Sequence, residues 1–587
     1  MRSGTALALA LASALGCTGQ IDGPGPSDQT QGAAGVQGTS GAAGMGAPSG
    51  AAGTMEMPGM SGIPMDVPIT GPITSAPGAS SRFARLNHAQ WENTTRDLLH
   101  LPTPSGLSAT FIAEPLRSAF DTNGGILSVS TDQWGDYQRA AETLAQRVAH
   151  DPKLLAGLLP ANAPTDAAGK ARAFVQQLGL RAFRRPMAAA DVDKYVALFN
   201  KGAAAFASGD AFVDGAELVL TAMLQSPMFL YRAETSTNVV NGRVPLDGFE
   251  IATRLSYGLT NTMPDDMLLS AAGAGALGNR DGVLAQAKRL LASPAAQKMM
   301  ADFHDQLLHM REYDGVKKDS KTAPLFEGAA ADLKSETQSF LSDVIFGQGK
   351  GVTELLSAPY TFANSRVAKL YGQSATTPAA GQPDPFAKLA LDPTQRAGVL
   401  TQLGFLSAFA EGATPNIIIR GVRIARDVLC LNLPDPPDNV PPLPALQPNA
   451  TNRQRVHELT KASPCNACHT SIINPLGNAF ENLDGLGRWR TQENGQPIDA
   501  TGTYQLDGQN ITFDGPVSLT KAMAASRQAH DCYSRHLVEY VYGRETDKGT
   551  ADANLVAQAG ARSKNAMSVK DLILELVTTD AFVTRTP

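Results

Sequence analysis

The segment CNACH at residues 465–469 constrains this chain more than any other part of the sequence. C-x-x-C-H is the attachment pattern of a c-type haem, in which two thiols add to the vinyl groups and the following histidine is placed to bind the iron. The chain has only five cysteines and nine histidines in 587 residues, so the pattern is specific although it occurs once. We therefore expect haem c, covalently attached at Cys465 and Cys468, with His469 as the proximal iron ligand.

Other chemistries of two close cysteines fit this segment less well. A redox dithiol is expected in a strand–turn–helix setting, whereas residues 452–461 before the motif are polar and favour a helix. A zinc site is disfavoured because the adjacent Cys468 and His469 do not easily turn onto one metal, and because no second C-x-x-C supplies the missing ligands. A local disulfide between Cys465 and Cys468 remains open in an exported protein.

The amino terminus has the pattern of an export signal. A positively charged start is followed by an apolar run over residues 6–15, too short to span a membrane, and by Cys17 after a small residue. Residues 1–17 resemble a bacterial lipoprotein signal, in which Cys17 is lipidated; an ordinary cleaved signal peptide is the alternative. Thr18 stands where inner-membrane lipoproteins commonly have Asp. We expect a cell-envelope lipoprotein at the outer membrane, facing the periplasm or the surface.

Residues 18–80 differ sharply in composition from the rest of the chain. Gly, Ala, Ser, Pro and Met dominate, and charged residues are scarce. Such a segment cannot bury enough apolar surface to offset its ordering entropy, so we expect a disordered linker. As a flexible chain of about sixty residues it reaches roughly 45 Å, which holds the folded part away from a membrane that it contacts through the lipid anchor only.

Helical patterns dominate the remaining chain. Apolar residues recur at helical spacing over residues 333–345, and again over 396–409 and 417–429. A β-hairpin is indicated by alternating residues over 501–513 around an Asp-Gly pair, which favours a two-residue turn. These signals predict a mainly α fold, with a multi-unit helical body, a small cytochrome c-like C-terminal region and one short β-hairpin.

Composition and proline content predict the domain boundaries. Seven prolines within 433–448 cannot continue a helix and separate the central body from the motif. The predicted division is a signal peptide at 1–17, a linker at 18–80, an N-terminal helical region at 81–240, a central helical domain at 241–432, a Pro-rich strap at 433–450, the haem-binding segment with its hairpin at 451–515, and a C-terminal helical domain at 516–587.

Charge and motif content exclude several classes of function. The formal net charge is −6 and no basic stripe is present, which argues against a nucleic-acid partner. We find no nucleophile elbow, no H-E-x-x-H, no P-loop and no dinucleotide fingerprint in a convincing context. The motif at 465–469 therefore carries the functional argument.

Several phrases, taken in their order along the chain, resemble one known family. They are RFARLNHAQWENTTRDLL at 82–99, LRAFRRPM at 180–187, LQSPMFLYRAE at 224–234, LDGFEIATRLSYGLTNTMPDDMLL at 246–269, RGVRIARDVLC at 420–430, CNACHTSIINPLGNAFENLDGLGRWR at 465–490 and CYSRHLVEYVYGRE at 532–545. From residue 82 onward the chain resembles the planctomycete-type cytochrome c-like envelope proteins, a serial set of domains of unknown function also found in myxobacteria. The resemblance is specific in sequence but carries little functional information, because the family is itself poorly characterised.

Further haem contacts are predicted around the motif. Arg488 and Arg490 are candidates for charge-assisted hydrogen bonds to the haem propionates; the alternative is a solvated or ion-paired surface. A downstream Met or His would complete a low-spin electron carrier, and Met523 is our candidate for the distal ligand. Met523 also stands at helical spacing within 519–525, which is typical of a core residue. An open distal site would instead permit peroxide or small-ligand chemistry.

The remaining cysteines suggest a disulfide. Once Cys17 is assigned to the lipid and Cys465 and Cys468 to haem, Cys430 and Cys532 remain as an even pair in an oxidising compartment. We predict that they form a disulfide across the Pro-rich strap and the haem region. Two buried free thiols are the alternative, since a free cysteine packs well as a small apolar group.

Two function classes follow from these observations. The first is an exported, membrane-tethered c-type cytochrome with one haem, which transfers electrons to an unknown redox partner or oxidises an unknown substrate. The second is a non-redox structural or binding lipoprotein in which Cys465 and Cys468 form a local disulfide. Haem staining of the denatured protein distinguishes the two, because only a covalently attached haem survives denaturation.

Overall fold

The computed structural model describes residues 71–587 except 77, 79, 116–118, 317, 320, 322, 380, 409, 411, 435–447 and 547–549. All described residues belong to one compact unit. The predicted signal peptide with Cys17, the linker up to residue 70, and most of the predicted strap at 433–450 lie outside the described residues, so those predictions stay predictions.

The N-terminal region is helical and is closed by a short strand pair. Its elements are β1 (Phe83–Arg85), α1 (His88–Leu98), α2 (Thr131–Ala149), α3 (Pro152–Gly157), α4 (Ala167–Ala182), α5 (Ala189–Phe199), α6 (Gly202–Phe206), α7 (Ala211–Leu224), α8 (Pro227–Leu230) and β2 (Tyr231–Ala233). Strands β1 and β2 are antiparallel, with Phe83 opposite Ala233. This region has its own hydrophobic core, which contains Trp91, Phe174 and Phe229.

The central region continues with helices and one further hairpin-like pair. Its elements are β3 (Val244–Pro245), α9 (Gly248–Thr260), α10 (Asp266–Gly273), α11 (Arg280–Leu291), α12 (Pro294–Leu307), α13 (Ala330–Ser342), α14 (Val352–Ser357), β4 (Tyr360–Ala363), α15 (Ser365–Leu370), β5 (Ala387–Ala390), α16 (Leu403–Ala408) and α17 (Ile417–Arg423). Wider π-type turns follow α13 at Asp343–Gly347 and α17 at Ile424–Val428.

The C-terminal part carries the motif, the hairpins and the final helices. Its elements are α18 (Asn452–Thr460), α19 (Asn466–Cys468), α20 (Asn474–Asn478), β6 (Gln492–Glu493), β7 (Gln496–Pro497), β8 (Gly502–Leu506), β9 (Gln509–Phe513), α21 (Pro516–Ala525), α22 (Arg527–Tyr542), α23 (Thr550–Lys564), α24 (Val569–Val577), α25 (Asp580–Val583) and β10 (Thr584–Arg585). A third π-type turn, His469–Ile473, joins α19 to α20. Single 3₁₀ turns lie at Leu107–Thr110, Ala276–Gly278, Met310–Gly315, Pro324–Phe326 and Val399–Thr401.

Side-chain caps explain where many of these helices begin. The side chains of Asn87, Asp247 and Thr451 each accept a hydrogen bond from the backbone N–H three residues later, and each forms a reciprocal capping box. Such caps satisfy backbone donors that have no partner inside the helix. The caps are local signals, so the helix starts follow from the sequence itself.

The central and C-terminal parts share a second hydrophobic core, which also includes Ile73 and Phe120, whereas Tyr257 and Met263 of the central region belong to the N-terminal core. Residues as distant as Leu255, Phe340, Leu476 and Leu572 belong to this second core. Strand β10 pairs with β3, which fixes the end of the chain to the start of the central region. The motif segment is therefore packed onto the large helical body.

The mainly α prediction is confirmed, and the predicted hairpin is present as β8 and β9. Asp507 and Gly508 have φ of +53° and +75°, as a two-residue turn with left-handed backbone requires. The prediction of a single hairpin was too low: the described residues contain four further antiparallel strand pairs, of two to four residues a strand. These strands are too short to show alternation in sequence. The helices described by the structure include none that is both long and apolar enough to span a membrane.

Candidate functional site

The motif lies in a continuous helical stretch with a change of pitch at the histidine. Helix α19 ends at Cys468, the π-type turn begins at His469, and α20 follows at once. In this turn the backbone N–H of Asn474 donates to the carbonyl of His469, five residues earlier. Such i to i+5 bonding aligns side chains five positions apart, and π turns are frequent at functional sites. It brings Asn474 beside His469.

The imidazole of His469 is held by an amide. Its Nδ1 lies 3.0 Å from Oδ1 of Asn474. The amide nitrogen of Asn474 donates to Oγ1 of Thr460 at 2.8 Å, and the Thr460 hydroxyl donates to the carbonyl of Val456 at 2.7 Å. Because the Thr460 proton is used on Val456, the amide must present its oxygen to His469, which donates from Nδ1. The lone pair of Nε2 is thereby left for a metal.

Both motif thiols are available for modification. Cys465 and Cys468 are not in a disulfide, and each is half-buried. Cys468 also packs against the edge of the main core. The neighbouring residues 461–464 and 470–471 are exposed, so the two thiols and the imidazole lie at an open surface. The structure therefore does not contain the local Cys465–Cys468 disulfide that the sequence left open.

A close helix crossing fixes the motif segment to the body. A Cβ added at Gly421 in α17 would lie 2.0 Å from the carbonyl oxygen of Ile473, and one added at Gly477 in α20 would lie 2.0 Å from that of Ile417. No residue with a side chain fits at either position without a backbone shift. Gly477 thus permits the close approach of α17 to α20.

A fully buried arginine holds the loop that follows α20. Arg420 donates to four backbone carbonyls, at Leu406, Phe480, Leu483 and Asp484, over 2.8–3.2 Å. Buried charge is tolerated here because the guanidinium is surrounded by hydrogen-bond acceptors. Arg420 and Asn474 are the positioning residues that the sequence did not reveal. A long-range carbonyl set has no sequence signature, and a single Asn in a sequence is typical of a turn.

A large cleft opens beside the motif. It has a volume of about 1290 Å³ and lies between α18, α20 and the β8–β9 hairpin. This exceeds the roughly 300–1,000 Å³ of ordinary ligand pockets. Thr470 and Ser471, directly after the motif, line it, as do His457, Gln454 and Asn478. Most of its lining residues carry polar side chains, and Pro475, Tyr504 and Phe513 are among the apolar ones.

The motif residues fit a covalent haem on chemical grounds. Two unbonded thiols are spaced as C-x-x-C, the adjacent imidazole is oriented through Nδ1, and the surrounding surface is open. Thioether formation needs reachable thiols, and iron ligation needs a neutral imidazole with a free nitrogen. Cys465, Cys468 and His469 would hold the haem.

The two predicted propionate ligands are engaged with carboxylates. Arg488 forms an ion pair with Asp484 at 2.8 Å, and its side chain is 55% exposed. Arg490 pairs with Glu493 at 2.9 Å and with Glu481 at 3.4 Å. Burial raises the pKa of Glu481 to about 7, although Arg490 lies close to it. This is the ion-paired alternative, and the propionate role of Arg488 and Arg490 stays a prediction.

The distal-ligand candidate lies in the core. Met523 in α21 is 0% exposed and belongs to the main hydrophobic core, which supports its packing role over the predicted distal role. His530 is also buried, with Nδ1 against Ser563 and Nε2 against the carbonyl of Ala524. His457 is exposed on α18 at the cleft. An imidazole thus faces the cleft beside the motif.

The predicted Cys430–Cys532 disulfide is present. The sulfur–sulfur distance is 2.11 Å, the Cα atoms are 5.3 Å apart, and the bridge spans 102 residues. Cys430 follows the π-type turn after α17, and Cys532 lies in α22. The closed loop contains the motif, the cleft and the β8–β9 hairpin. The disulfide therefore joins both ends of the segment that carries the motif.

Five family models match the chain in series, each described as a protein of unknown function. They are DUF1587 at 84–150, DUF1595 at 170–234, DUF1592 at 246–373, DUF1588, a model named PSCyt3, at 396–493, and DUF1585 at 509–582. The PSCyt3 model covers the CNACH motif, the helix crossing and Arg420. No curated protein and no solved structure matches the chain.

Proposed function

The chain belongs to the planctomycete-type cytochrome c-like proteins built of these five serial domains, and from that premise we propose that it is an exported c-type cytochrome with a single haem. Its haem is attached at Cys465 and Cys468, with His469 as the proximal ligand, and its activity is electron transfer. The carrying observation is that two unbonded thiols stand beside an imidazole whose Nδ1 is fixed by Asn474.

The chain's own residues determine how the ligand is presented. Asn474 holds the His469 ring in one orientation and one tautomer, and the Thr460 hydroxyl holds Asn474. Such partners of a metal-ligating histidine raise its basicity and fix its direction. When bound, haem supplies one-electron chemistry at iron. The glycine crossing of α17 and α20 keeps the segment rigid against the body, which limits reorganisation on electron transfer.

The cleft favours a second, related activity. Its volume of about 1290 Å³ next to the motif, with hydroxyl, amide and carboxylate side chains on its walls, suits a polar organic substrate. In this candidate function the cleft would hold a polar substrate beside Cys465, Cys468 and His469, the haem on those residues would supply one-electron chemistry, and a redox partner would take up the electrons. This second function predicts substrate turnover that depends on the residues lining the cleft, whereas electron transfer alone would not depend on them.

Export and lipid attachment complete the proposal. Covalent haem attachment in bacteria takes place outside the cytoplasm, which agrees with the predicted signal over residues 1–17. We place the protein at the outer membrane through a lipid on Cys17. A Cys17→Ser variant is then expected in the soluble fraction after cell breakage, while wild type sediments with membranes. If wild type and Cys17→Ser sediment with membranes to the same extent, Cys17 is not the site of the membrane anchor.

The test of haem attachment uses the full-length protein. It is expressed with a periplasmic haem-attachment system and compared with a Cys465→Ser/Cys468→Ser variant. Wild type should give a haem-stained band after denaturation and a c-type α-band when reduced, whereas the variant gives neither. The reduced and oxidised spectra also report the axial ligands. A colourless wild-type band would leave the non-redox lipoprotein as the function.

A further inference from the structure

A second set of two cysteines and a histidine lies around the disulfide. Cys532 and His536 are four residues apart on α22, so their side chains share one face. Cys430 reaches the same place because its backbone is left-handed, with φ of +51°, directly after the turn that follows α17. Nε2 of His536 lies 3.4 Å from Sγ of Cys430 and 3.5 Å from Sγ of Cys532. The three potential ligand atoms lie within 4.8 Å of one another.

The surroundings of this cluster resemble those of a metal ligand set. Nδ1 of His536 lies 3.7 Å from a carboxylate oxygen of Glu539, and the other oxygen of Glu539 accepts from the Thr546 hydroxyl at 2.7 Å. A histidine backed by a carboxylate is the common second layer of zinc sites. His536 is 8% exposed and Cys532 2%, whereas Cys430 is half-buried. Among the described residues, the cluster is therefore most open on the Cys430 side.

The donor atoms select the ion. Two thiolates and one imidazole are the ligands of borderline-soft Zn²⁺, and hard cations such as Mg²⁺ or Ca²⁺ prefer oxygen. A site with three protein ligands keeps its fourth position for solvent, which the exposed side of Cys430 supplies. In the disulfide state neither sulfur is a thiolate, so this ligand set exists only after reduction.

We propose that reduction of the Cys430–Cys532 disulfide creates a Zn²⁺ site whose ligands are Cys430, Cys532 and His536. An external dithiol supplies two electrons and two protons: its own sulfurs become a disulfide, and the protein bond becomes two thiols. Binding of Zn²⁺ then releases the two thiol protons to solvent. The same two chain segments stay joined, first by a covalent bond and then by a metal, so the loop around the motif remains closed in both redox states.

The test uses the full-length protein in its oxidised form and after reduction with a phosphine under argon. Alkylation mapping confirms that the Cys430–Cys532 bond has opened, and excess Zn²⁺ is removed by gel filtration. We expect one zinc per reduced chain, measured by mass spectrometry, and none per oxidised chain. Co²⁺ in place of Zn²⁺ should give thiolate-to-cobalt charge-transfer bands. Reduced protein that retains no zinc would overturn the proposal.

Three variants separate this site from the motif thiols. His536→Gln keeps the disulfide for folding and should weaken zinc binding by at least about 100-fold, because loss of a ligand exceeds the 10- to 100-fold loss known for residues that only orient a ligand. His150→Gln, at a half-exposed histidine elsewhere, should not change it. A Cys465→Ser/Cys468→Ser protein should still bind one zinc after reduction. Zinc binding that disappears with Cys465 and Cys468, or that survives His536→Gln unchanged, would place the metal elsewhere.

Discussion

Two sets of two cysteines and one histidine occur in this chain, and they are opposite in construction. In the motif, Cys465, Cys468 and His469 are neighbours in sequence, half-buried, and free of any bond between the sulfurs. Around Cys430 and Cys532 the sulfurs come from positions 102 residues apart and are bonded, and the histidine beside them is buried. The first set is exposed for a large ligand. The second is mostly enclosed, with only Cys430 of the three half-buried.

The two sets also differ in what surrounds their histidines, His469 and His536. His469 is directed by a neutral amide, Asn474, so that its Nε2 points away from its own helix partners. His536 has a carboxylate behind it and both sulfurs in front of it. The same residue types therefore serve different chemistry because the backbone around them differs, through a π-type turn in one case and one regular helical turn in the other.

The largest expected effect is all-or-none haem attachment. Cys465→Ser with Cys468→Ser should abolish the haem-stained band, whereas Cys430→Ser with Cys532→Ser should keep it, because only the first pair consists of unbonded thiols in a C-x-x-C-H motif. Staining of both purified variants at equal loading measures this. If both double variants lack the haem-stained band, haem attachment at Cys465 and Cys468 depends on the Cys430–Cys532 disulfide, and the prediction is wrong.

Loss of the disulfide should give the largest effect on stability. The chain-entropy model for a closed loop of 102 residues assigns it about 4–5 kcal/mol. Urea unfolding of haem-free Cys430→Ser/Cys532→Ser protein should show a free energy of unfolding lower by about that amount. The matched Cys465→Ser/Cys468→Ser variant should lie within about 1 kcal/mol of wild type. If Cys430→Ser/Cys532→Ser lowers the free energy of unfolding less than Cys465→Ser/Cys468→Ser does, the prediction is wrong.

The helix that carries Cys532 should be acid-sensitive through His304. Burial lowers the pKa of His304 to about 4, and its Nε2 lies 3.1 Å from the hydroxyl of Tyr533. The unfolded chain binds the proton below about pH 6.5 and the folded chain only below about 4, so stability is present above pH 6.5 and is lost as pH falls to 4. The loss approaches about 3 kcal/mol.

The measurement compares wild type with His304→Gln by urea unfolding at pH 7 and pH 4.5. Burial raises the pKa of Asp302 to about 6, which acts in the opposite direction, so the difference between the two proteins isolates His304. The gap in stability should shrink towards acid pH. If the difference in the free energy of unfolding between the two proteins does not change with pH, His304 takes up its proton equally in the folded and unfolded chains, and the prediction is wrong.

Rigidity of the motif segment should depend on the glycine crossing. Gly477→Ala places a Cβ 2.0 Å from the Ile417 carbonyl and should cost about 1–3 kcal/mol. Gly278→Ala is the matched control, because nothing lies within 4 Å of the added atom. The melting temperatures of both variants, measured by thermal unfolding, test this prediction. Equal melting temperatures would contradict backbone contact between α17 and α20.

The smallest expected effect concerns the orientation of His469. Asn474→Ala removes a hydrogen bond of about 1 kcal/mol, which for one electron corresponds to a rise of about 40 mV in the haem reduction potential, because the imidazole becomes less basic. Asn474→Asp should move the potential in the opposite direction. Asn482→Ala is the control, because the side-chain amide of Asn482 donates to the Arg490 carbonyl and not to His469. A shift of one sign for both Asn474 variants would indicate general disruption.

Much of the fold could be read from local patterns. The Asp507-Gly508 turn, the capped helix starts and the CNACH segment are each encoded within a few residues, and the Cys430–Cys532 pair followed from counting cysteines. The other strand pairs were missed because strands of two to four residues show no alternation. The contact of His536 with both sulfurs was missed because it needs the position of α17 relative to α22, which no local pattern contains.

The sequence by itself determined which atoms are available: two thiols and an imidazole at 465–469, and an even pair of cysteines beyond them. Covalent chemistry of this kind depends on residue types a few positions apart, and linear spacing is enough to specify it. The tertiary structure decided how those atoms are presented. Asn474 directs His469 only because the turn is wider than an α-helix. Arg420 fixes the following loop only because packing brings three carbonyls of residues 480–484 and the carbonyl of Leu406 around its guanidinium. Direction and burial arise from packing between segments far apart in the chain, which spacing alone does not record.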